Sequence, residues 1–156
     1  MLHPAGMIKV QSETFDVGQE LARVKGQRKD IGGFALFVGS VREMSGGADV
    51  SAMTLEHYPG MTENALAEIE AEAHGRWPLQ ETLIIHRHGR LEAGDDIVLV
   101  ITASAHRDSA FQACEFLMDW LKTKAPFWKL EESKSGTHWV EAKASDETAT
   151  ARWNLE

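Results

Sequence analysis

The chain has 156 residues, close to the ~150 of a typical single domain, and its 43% apolar and 26% charged residues match an ordinary soluble protein. Sixteen basic and twenty-four acidic side chains give a net charge of −8. This balance argues against a broad nucleic-acid-binding surface and confines any anion site to a local positive pocket. The single cysteine, Cys114, excludes an intramolecular disulfide framework and a cysteine-cage zinc site.

The sequence also carries no signal for a membrane or for export. No apolar run reaches the ~18 residues of a membrane span. Residues 1–10 (MLHPAGMIKV) lack the basic start and the apolar stretch of a signal peptide. We therefore expect a cytoplasmic protein that does not bind membranes, with residues 1–156 in one domain. Residues 144–156 are polar apart from Trp153, which fits either a loose extension or a short docked helix.

Hydrophobic periodicity predicts a succession of strands and helices. Asp16 is placed to cap the first helix, and Pro78 and Pro126 follow the ends of the second and third helices. This order fits a mixed α+β sandwich and not a regular parallel doubly wound sheet. The predicted strands are 7–11, 32–41, 53–57, 82–88, 97–103, 127–133 and 138–142, and the predicted helices are 16–25, 62–77 and 107–124.

Two segments support more specific predictions. Residues 32–41 (GGFALFVGSV) are apolar almost throughout, which predicts a central strand that is buried on both faces. Residues 44–49 (MSGGAD) contain two glycines among small and polar residues, which predicts a mobile loop.

The common cofactor and nucleophile motifs are absent from the sequence. It contains no GxxxxGK[ST] phosphate loop, no GxGxxG dinucleotide motif and no GxSxG nucleophile elbow. Cys114 lies on the apolar face of the third predicted helix without an adjacent base. A buried structural thiol is therefore favoured over a nucleophile.

Seven histidines make a metal site one hypothesis. His86 and His88 are two residues apart on a predicted strand and therefore share a face, and His106 is a third candidate ligand. No carboxylate stands at a recognisable ligand spacing, and Arg87 and Arg107 are neighbours of these histidines. Since fixed cations disfavour the binding of another cation, we predict no metal and expect the histidines to be hydrogen bonded or to face an anion.

Positive charge lies where the backbone already favours anions. Arg42 follows the apolar strand, and His106 and Arg107 begin a helix whose free N–H groups and dipole attract negative charge. Lys122 lies at the end of that helix, and Lys129 lies in the aromatic segment APFWKL. Spacing alone leaves ordinary solvation of the lysines equally open. A partly desolvated lysine beside other cations has a lowered pKa, which suits proton transfer or transient covalent chemistry.

Six longer segments occur in a fixed order between about residue 33 and residue 146. They are FVGSVRE, LEHYPGMTENALAEIEAEA, IIHRHGRLEAGDDIVLV, SAHRDSAFQACEFLMDWLK, KAPFWKLEE and HWVEA. Together they resemble the large, catalytic subunit family of molybdopterin synthase. The resemblance implies an α/β hammerhead fold and a homodimer with one small subunit bound at each end, which makes a heterotetramer.

The resemblance also implies an activity. The family is a sulfurtransferase that converts cyclic pyranopterin monophosphate into molybdopterin by installing two sulfurs as a dithiolene, in the biosynthesis of the molybdenum cofactor. The sulfur arrives as a thiocarboxylate on the C-terminal glycine of a small ubiquitin-like subunit, whose tail enters a pocket of the large subunit. This chemistry implies no redox cofactor. It also requires no catalytic cysteine in the large subunit, because the partner brings the sulfur.

By the same resemblance, Lys122 and Lys129 occupy the positions of the family's catalytic lysines. Lys122 is expected to polarise or protonate the reacting oxygens, and Lys129 to lie near the thiocarboxylate carbonyl and the pterin. Lys143 matches a further basic anion contact. Leu130 stands where the family usually has a basic residue, so only a backbone contact is expected there. The implied substrate contacts are Ser40, Val41, Arg42, His106, Arg107, Lys122, Lys129, Leu130, Glu131 and Lys143.

Two other functions stay open from the residues alone. One is a non-catalytic dimeric module that binds a ubiquitin-like tail or a small phosphorylated ligand, although the presence of both lysines argues against it. The other is a metal-dependent hydrolase, which would hold stoichiometric metal after purification.

The third predicted helix separates two of the implied contact regions. Lys122 lies fifteen positions after Arg107, or roughly 22 Å at the helical rise of 1.5 Å per residue, and a pterin spans about half of that. Twofold pairing of two copies would place the anion site of one chain beside the lysines of the other. A secondary anion site unrelated to catalysis is the alternative.

Overall fold

The computed structural model describes residues 6–45, 48–134, 136–140 and 144–153. Over these residues the chain forms two β-sheets and four α-helices, which confirms the predicted mixed α+β fold. No helix in this part of the chain is long and apolar enough to cross a membrane. The strands are β1 (Met7–Gln11), β2 (Gly33–Ser40), β3 (Met44–Ser45), β4 (Ala48–His57), β5 (Leu79–Arg87), β6 (Gly89–Glu92), β7 (Asp96–Ser104), β8 (Phe127–Ser133) and β9 (Gly136–Val140). The helices are α1 (Val17–Lys25), α2 (Met61–Arg76), α3 (Arg107–Thr123) and α4 (Ala144–Ala151).

The first sheet has the order β1-β5-β7-β2 and lies between two helical layers. β1 runs parallel to β5, and the other neighbouring strands are antiparallel. Successive residues of β5 and β7 point to opposite faces, so each strand contributes to two apolar clusters. The cluster against α2 and α3 includes Ile84, Val100, Leu66, Phe116 and Leu117, and the cluster against α1 includes Leu83, Ile85, Leu99 and Ile101.

β2 is an edge strand and not the central strand that its apolar sequence predicted. Among the described strands it pairs only with β7. Ala35 is buried, but Leu36 and Phe37 are 41% and 42% exposed. The central strands are β5 and β7. A continuous apolar run shows that a strand has apolar surroundings, and it does not show how many strands lie beside it.

The second sheet is built around β4, which pairs with β6 on one side and with β8 on the other. β9 extends this sheet beyond β8. β6 was not predicted as a strand. It is possible because Gly89 and Gly94 have φ angles of 90° and 94°, which let the chain leave β5, run along β4 and turn into β7.

The predicted loop at 44–49 contains strand residues. Met44–Ser45 forms β3 and pairs with the first residues of β4. Gly46 and Gly47, on which the loop prediction mainly rested, lie outside the described residues.

Asp119 on α3 anchors the C-terminal segment. Its carboxylate accepts hydrogen bonds from Trp153 Nε1 at 2.6 Å and from Arg152 at 2.8 Å. Its carbonyl oxygen accepts a hydrogen bond from the Thr150 hydroxyl at 2.8 Å. Of the two alternatives that the sequence left open for this segment, the structure has the docked helix, α4.

Gly32 lies where the chain enters β2, against the loop that leads into α3. A Cβ at this position would lie 2.0 Å from the carbonyl oxygen of Ala105, so the backbone must shift to admit it. We expect Gly32→Ala to lower the free energy of unfolding by about 1–3 kcal/mol, the usual cost of overpacking. Urea denaturation measures this change.

Gly75 in α2 is the matched control, because a Cβ added there meets no atom within 4 Å. Gly75→Ala is expected to raise the free energy of unfolding by about 0.4–1 kcal/mol, since alanine restricts the unfolded chain and favours the helix. Equal effects at the two glycines would contradict the packing argument.

Candidate active site

A cavity of 680 Å³ lies where the two sheets meet, at the C-terminal end of α3. It is lined by the end of β2, by β4 and β5, by the last turns of α3, and by β8. Three cations, Arg42, Lys122 and Lys129, are among the described residues that line it. On a chain with a net charge of −8, these cations create the local positive pocket that an anionic ligand requires.

β8 presents alternate residues to the cavity, because successive side chains of a strand point to opposite faces. Phe127, Lys129 and Glu131 line the cavity. Lys129 is half-buried and Glu131 is 5% exposed. Leu130 does not line the cavity, so its side chain does not reach a ligand there.

Lys122 reaches the cavity from the last turn of α3. The helix ends at Thr123, and β8 begins four residues later at Phe127. The Phe127 N–H donates to the carbonyl oxygen of Ala125 at 2.8 Å, which tightens this connection. The short turn therefore brings Lys122 and Lys129 to the same cavity from two different elements.

The end of β2 contributes a serine and an arginine. The pairing register with β7 shifts between Gly39 and Ser40, and beyond this irregularity Ser40 and Arg42 line the cavity. The Ser40 hydroxyl donates to Asp96 Oδ1 at 2.8 Å. This hydrogen bond holds the strand end beside the start of β7.

Val41 lies between these two residues but belongs to the core. Its side chain is 3% exposed, its N–H donates to the Asp95 carbonyl oxygen, and its own carbonyl oxygen accepts from the Gly94 N–H. Its backbone groups are therefore already paired, and Val41 fixes the strand end that carries Arg42. Lys143, the last of the implied contacts, lies outside the described residues.

His106 and Arg107 lie at the opposite end of α3. His106 is the N-cap residue, with extended backbone angles, and Arg107 is the first helical residue. Both are exposed and neither lines the cavity. The 17-residue helix is about 25 Å long. The structure therefore does not bring this anion site and Lys122 together within one chain.

His86 lines the cavity, although the sequence placed it only in a metal hypothesis. It is 8% exposed, and its ring stacks on Phe127 with a centroid distance of 3.8 Å. Nδ1 lies 2.9 Å from the carbonyl oxygen of Arg87, and since a carbonyl only accepts, Nδ1 carries the proton. Burial, and to a lesser degree the charges of Lys129 and Lys122, lower the pKa of His86 to about 4. The ring is therefore neutral at pH 7. One signal in the sequence could have identified this residue: His86 continues the apolar run of a predicted buried strand, where a polar ring is unusual.

The three histidines of the metal hypothesis occupy separate surroundings. His88 contacts His57 at a ring-centroid distance of 4.5 Å and does not line the cavity with His86. His106 is at the far end of α3. Within the described ranges, no group of three or more His, Cys, Asp or Glu side chains is arranged to hold a metal ion.

Residues 10–124 match the family described as MoaE protein. This chain belongs to that family. Over 146 residues it is 55% identical to the "Molybdopterin synthase catalytic subunit" of Pseudomonas aeruginosa, which covers 94% of this chain and 97% of that relative.

Solved structures agree with this membership. The "Molybdopterin biosynthesis MoaE protein from Burkholderia ambifaria MC40-6" is 49% identical, with a TM-score of 0.82, and the match covers 97% of this chain and 99% of that chain. A chain in the "Protein-protein complex of subunit 1 and 2 of Molybdopterin-converting factor" from Helicobacter pylori has a TM-score of 0.69 at 19% identity, over 88% of this chain and 90% of its own. At that identity the likeness shows the MoaE fold alone.

Cys114 is a buried thiol on α3, and burial raises its pKa to about 11. It does not line the cationic cavity. At neutral pH it is protonated and therefore a poor nucleophile.

We expect Cys114→Ala to keep the wild-type rate of molybdopterin formation and to lose on the order of 1 kcal/mol of unfolding free energy. Urea denaturation and a sulfur-transfer assay measure the two effects. A folded variant without sulfur transfer would show that this chain itself carries the sulfur.

Proposed function

We propose that this chain, as one domain of residues 1–156, is the catalytic subunit of a molybdopterin synthase. It converts cyclic pyranopterin monophosphate into molybdopterin, with sulfur from the C-terminal thiocarboxylate of a small ubiquitin-like subunit. The observation that carries this proposal is a single cavity lined by Lys122, Lys129 and Arg42. The family resemblance assigns catalysis to these two lysines, and the Pseudomonas aeruginosa relative carries this function in its name.

The cavity has the groups that this chemistry uses. The substrate phosphate is anionic, and the cavity is cationic. Lys122 polarises or protonates the reacting oxygens, and Lys129 lies beside the thiocarboxylate carbonyl and the pterin. Ser40 and Glu131 add contacts from the same chain. The nucleophilic sulfur comes with the small subunit, which agrees with a chain whose single cysteine is buried elsewhere.

We also propose that two copies of the chain share each site, within a heterotetramer that contains two small subunits. His106 and Arg107 belong to the substrate contacts by resemblance, yet they lie a helix length away from Lys122. Edge strand β2 and the outer side of α3 form an apolar face that a second copy can cover. Its exposed residues include Leu36, Phe37 and Phe111, at 41%, 42% and 61% exposure.

Twofold pairing across this face places the two α3 helices antiparallel. The start of one α3 then lies beside the end of the other. In this arrangement His106 and Arg107 of one chain bind the phosphate, while Lys122 and Lys129 of the other carry out the chemistry. We place the reaction in the cytoplasm, where a single cysteine stays a free thiol.

Lys122→Ala and Lys129→Ala are each expected to lower the rate of molybdopterin formation by about 10²–10⁴-fold, because a positioned proton-transfer group is lost. The assay mixes each variant with thiocarboxylated small subunit and cyclic pyranopterin monophosphate and follows the product. Lys124→Ala is the matched control, since Lys124 is an exposed neighbour that does not line the cavity. Circular dichroism checks that each variant is folded. Near-normal turnover by folded Lys122→Ala would refute the assignment.

Mixing two inactive homodimers tests the shared site. Arg107→Ala and Lys122→Ala proteins are each expected to be inactive, and subunit exchange between them creates one intact site per mixed dimer. Activity should therefore reappear, up to about half of the wild-type activity per mixed dimer. The fraction of mixed dimers is measured with a tag on one variant. If mixed dimers form and activity stays absent, the Arg107 region of one chain and the Lys122 region of the other do not form one shared site.

A further inference from the structure

His86 has one ring nitrogen whose hydrogen-bonding capacity is unused. Nδ1 donates its proton to the carbonyl oxygen of Arg87, which leaves Nε2 as an acceptor with a free lone pair. Among the described residues, Nε2 has no hydrogen-bond partner. It is also not sealed inside the protein, so it opens on the cavity that the ring lines. A side chain that is 8% exposed and has an unpaired acceptor is suited to a ligand that brings a donor.

The ring is held in place from two sides. The stack on Phe127 has an interplanar angle of 16° and joins β5 of the first sheet to β8 of the second. The hydrogen bond to Arg87 then sets the rotation of the ring about this contact. Nε2 therefore has a fixed position in the cavity before any ligand binds.

Of the charged side chains that line the cavity, three are hydrogen-bond donors and one, Glu131, is an acceptor. Arg42, Lys122 and Lys129 carry donors and no acceptor. A second carboxylate beside them would cancel more of their charge, whereas a neutral imidazole accepts a hydrogen bond and leaves the remaining positive field intact. Since its pKa is about 4, the His86 ring is neutral at physiological pH. Nε2 then carries no proton and acts only as a hydrogen-bond acceptor. The cavity thus favours a ligand that has both an anionic group and an N–H donor.

We propose that His86 is a specificity-determining residue whose Nε2 accepts a hydrogen bond from a ring N–H of the bound pterin. The inference rests on the proposed function, which supplies the pterin phosphate. His106 and Arg107 of the second copy bind the phosphate, and the cations of the cavity hold the reacting oxygens. His86 distinguishes an N–H-bearing heterocycle from other phosphates of similar size.

Two variants separate the acceptor from the aromatic ring. His86→Gln retains an acceptor oxygen at about the reach of Nε2 and loses the stack on Phe127. His86→Phe retains the stack and loses the acceptor. Thermal unfolding checks that both are folded. Calorimetry then measures the binding of cyclic pyranopterin monophosphate to the full chain in complex with small subunit that lacks the thiocarboxylate.

We expect His86→Gln to bind within about threefold of wild type and His86→Phe to bind about tenfold more weakly, which is the size of one hydrogen bond. In turnover assays the loss should appear in KM and not in kcat, because the contact holds the substrate and not the reacting atoms. A purely structural role of the ring predicts the reverse order of the two variants. The reverse order, or equal binding by all three proteins, would overturn the proposal.

Nitrogen NMR of the wild-type complex tests the same contact without a substitution, and decides the question if either variant does not fold. The His86 Nε2 resonance should have the shift of an unprotonated nitrogen and should move when the substrate is added. Substrate binding without this movement would refute the role of His86 and leave the proposed function standing. Failure of the wild-type complex to bind the substrate would instead refute the proposed function and, with it, this inference.

Discussion

The direct return of the chain from α3 into β8 is the constraint on which the site depends. α3 is fixed on the first sheet by buried side chains such as Phe116 and Leu117. β8 is fixed in the second sheet by its pairing with β4. Only residues 124–126 connect them. Because both elements are packed into a sheet and the link is short, the fold brings Lys122 and Lys129 to the same cavity.

The stack of His86 on Phe127 also joins the two sheets, and it forms part of the cavity wall. It places an aromatic surface and a neutral polar group directly beside the lysines. Buried aromatic contacts of this kind resist displacement, since both rings lose their packing together. The wall that holds the cations is therefore also the part of the molecule where the two sheets are joined.

The distribution of ion pairs distinguishes the cavity from the rest of the surface. Five arginines elsewhere have carboxylate partners within 3.2 Å, namely Arg23, Arg28, Arg76, Arg90 and Arg152. Among the described residues, Arg42 and Lys122 have no carboxylate within the 4.0 Å of a salt bridge. Neither charge is held in an ion pair within the described part of the chain, so both attract an anionic ligand that enters the cavity.

Local patterns in the sequence determined most of the elements and the family, and they singled out the two lysines that line the cavity. Helix periodicity placed α3 within one residue of its observed end, and Asp16 caps α1 as predicted, with its carboxylate accepting from the Gln19 N–H at 2.9 Å. These features depend on neighbours in sequence. Sheet order does not, and the apolar run of β2 was therefore assigned to the centre of a sheet although the strand lies at its edge. The tertiary structure alone showed that His86 stands beside Lys122 and Lys129, and that His106 does not. The reason is physical: periodicity reports which side of an element is buried, whereas the groups that meet across a cavity are decided by non-local strand pairing and helix packing.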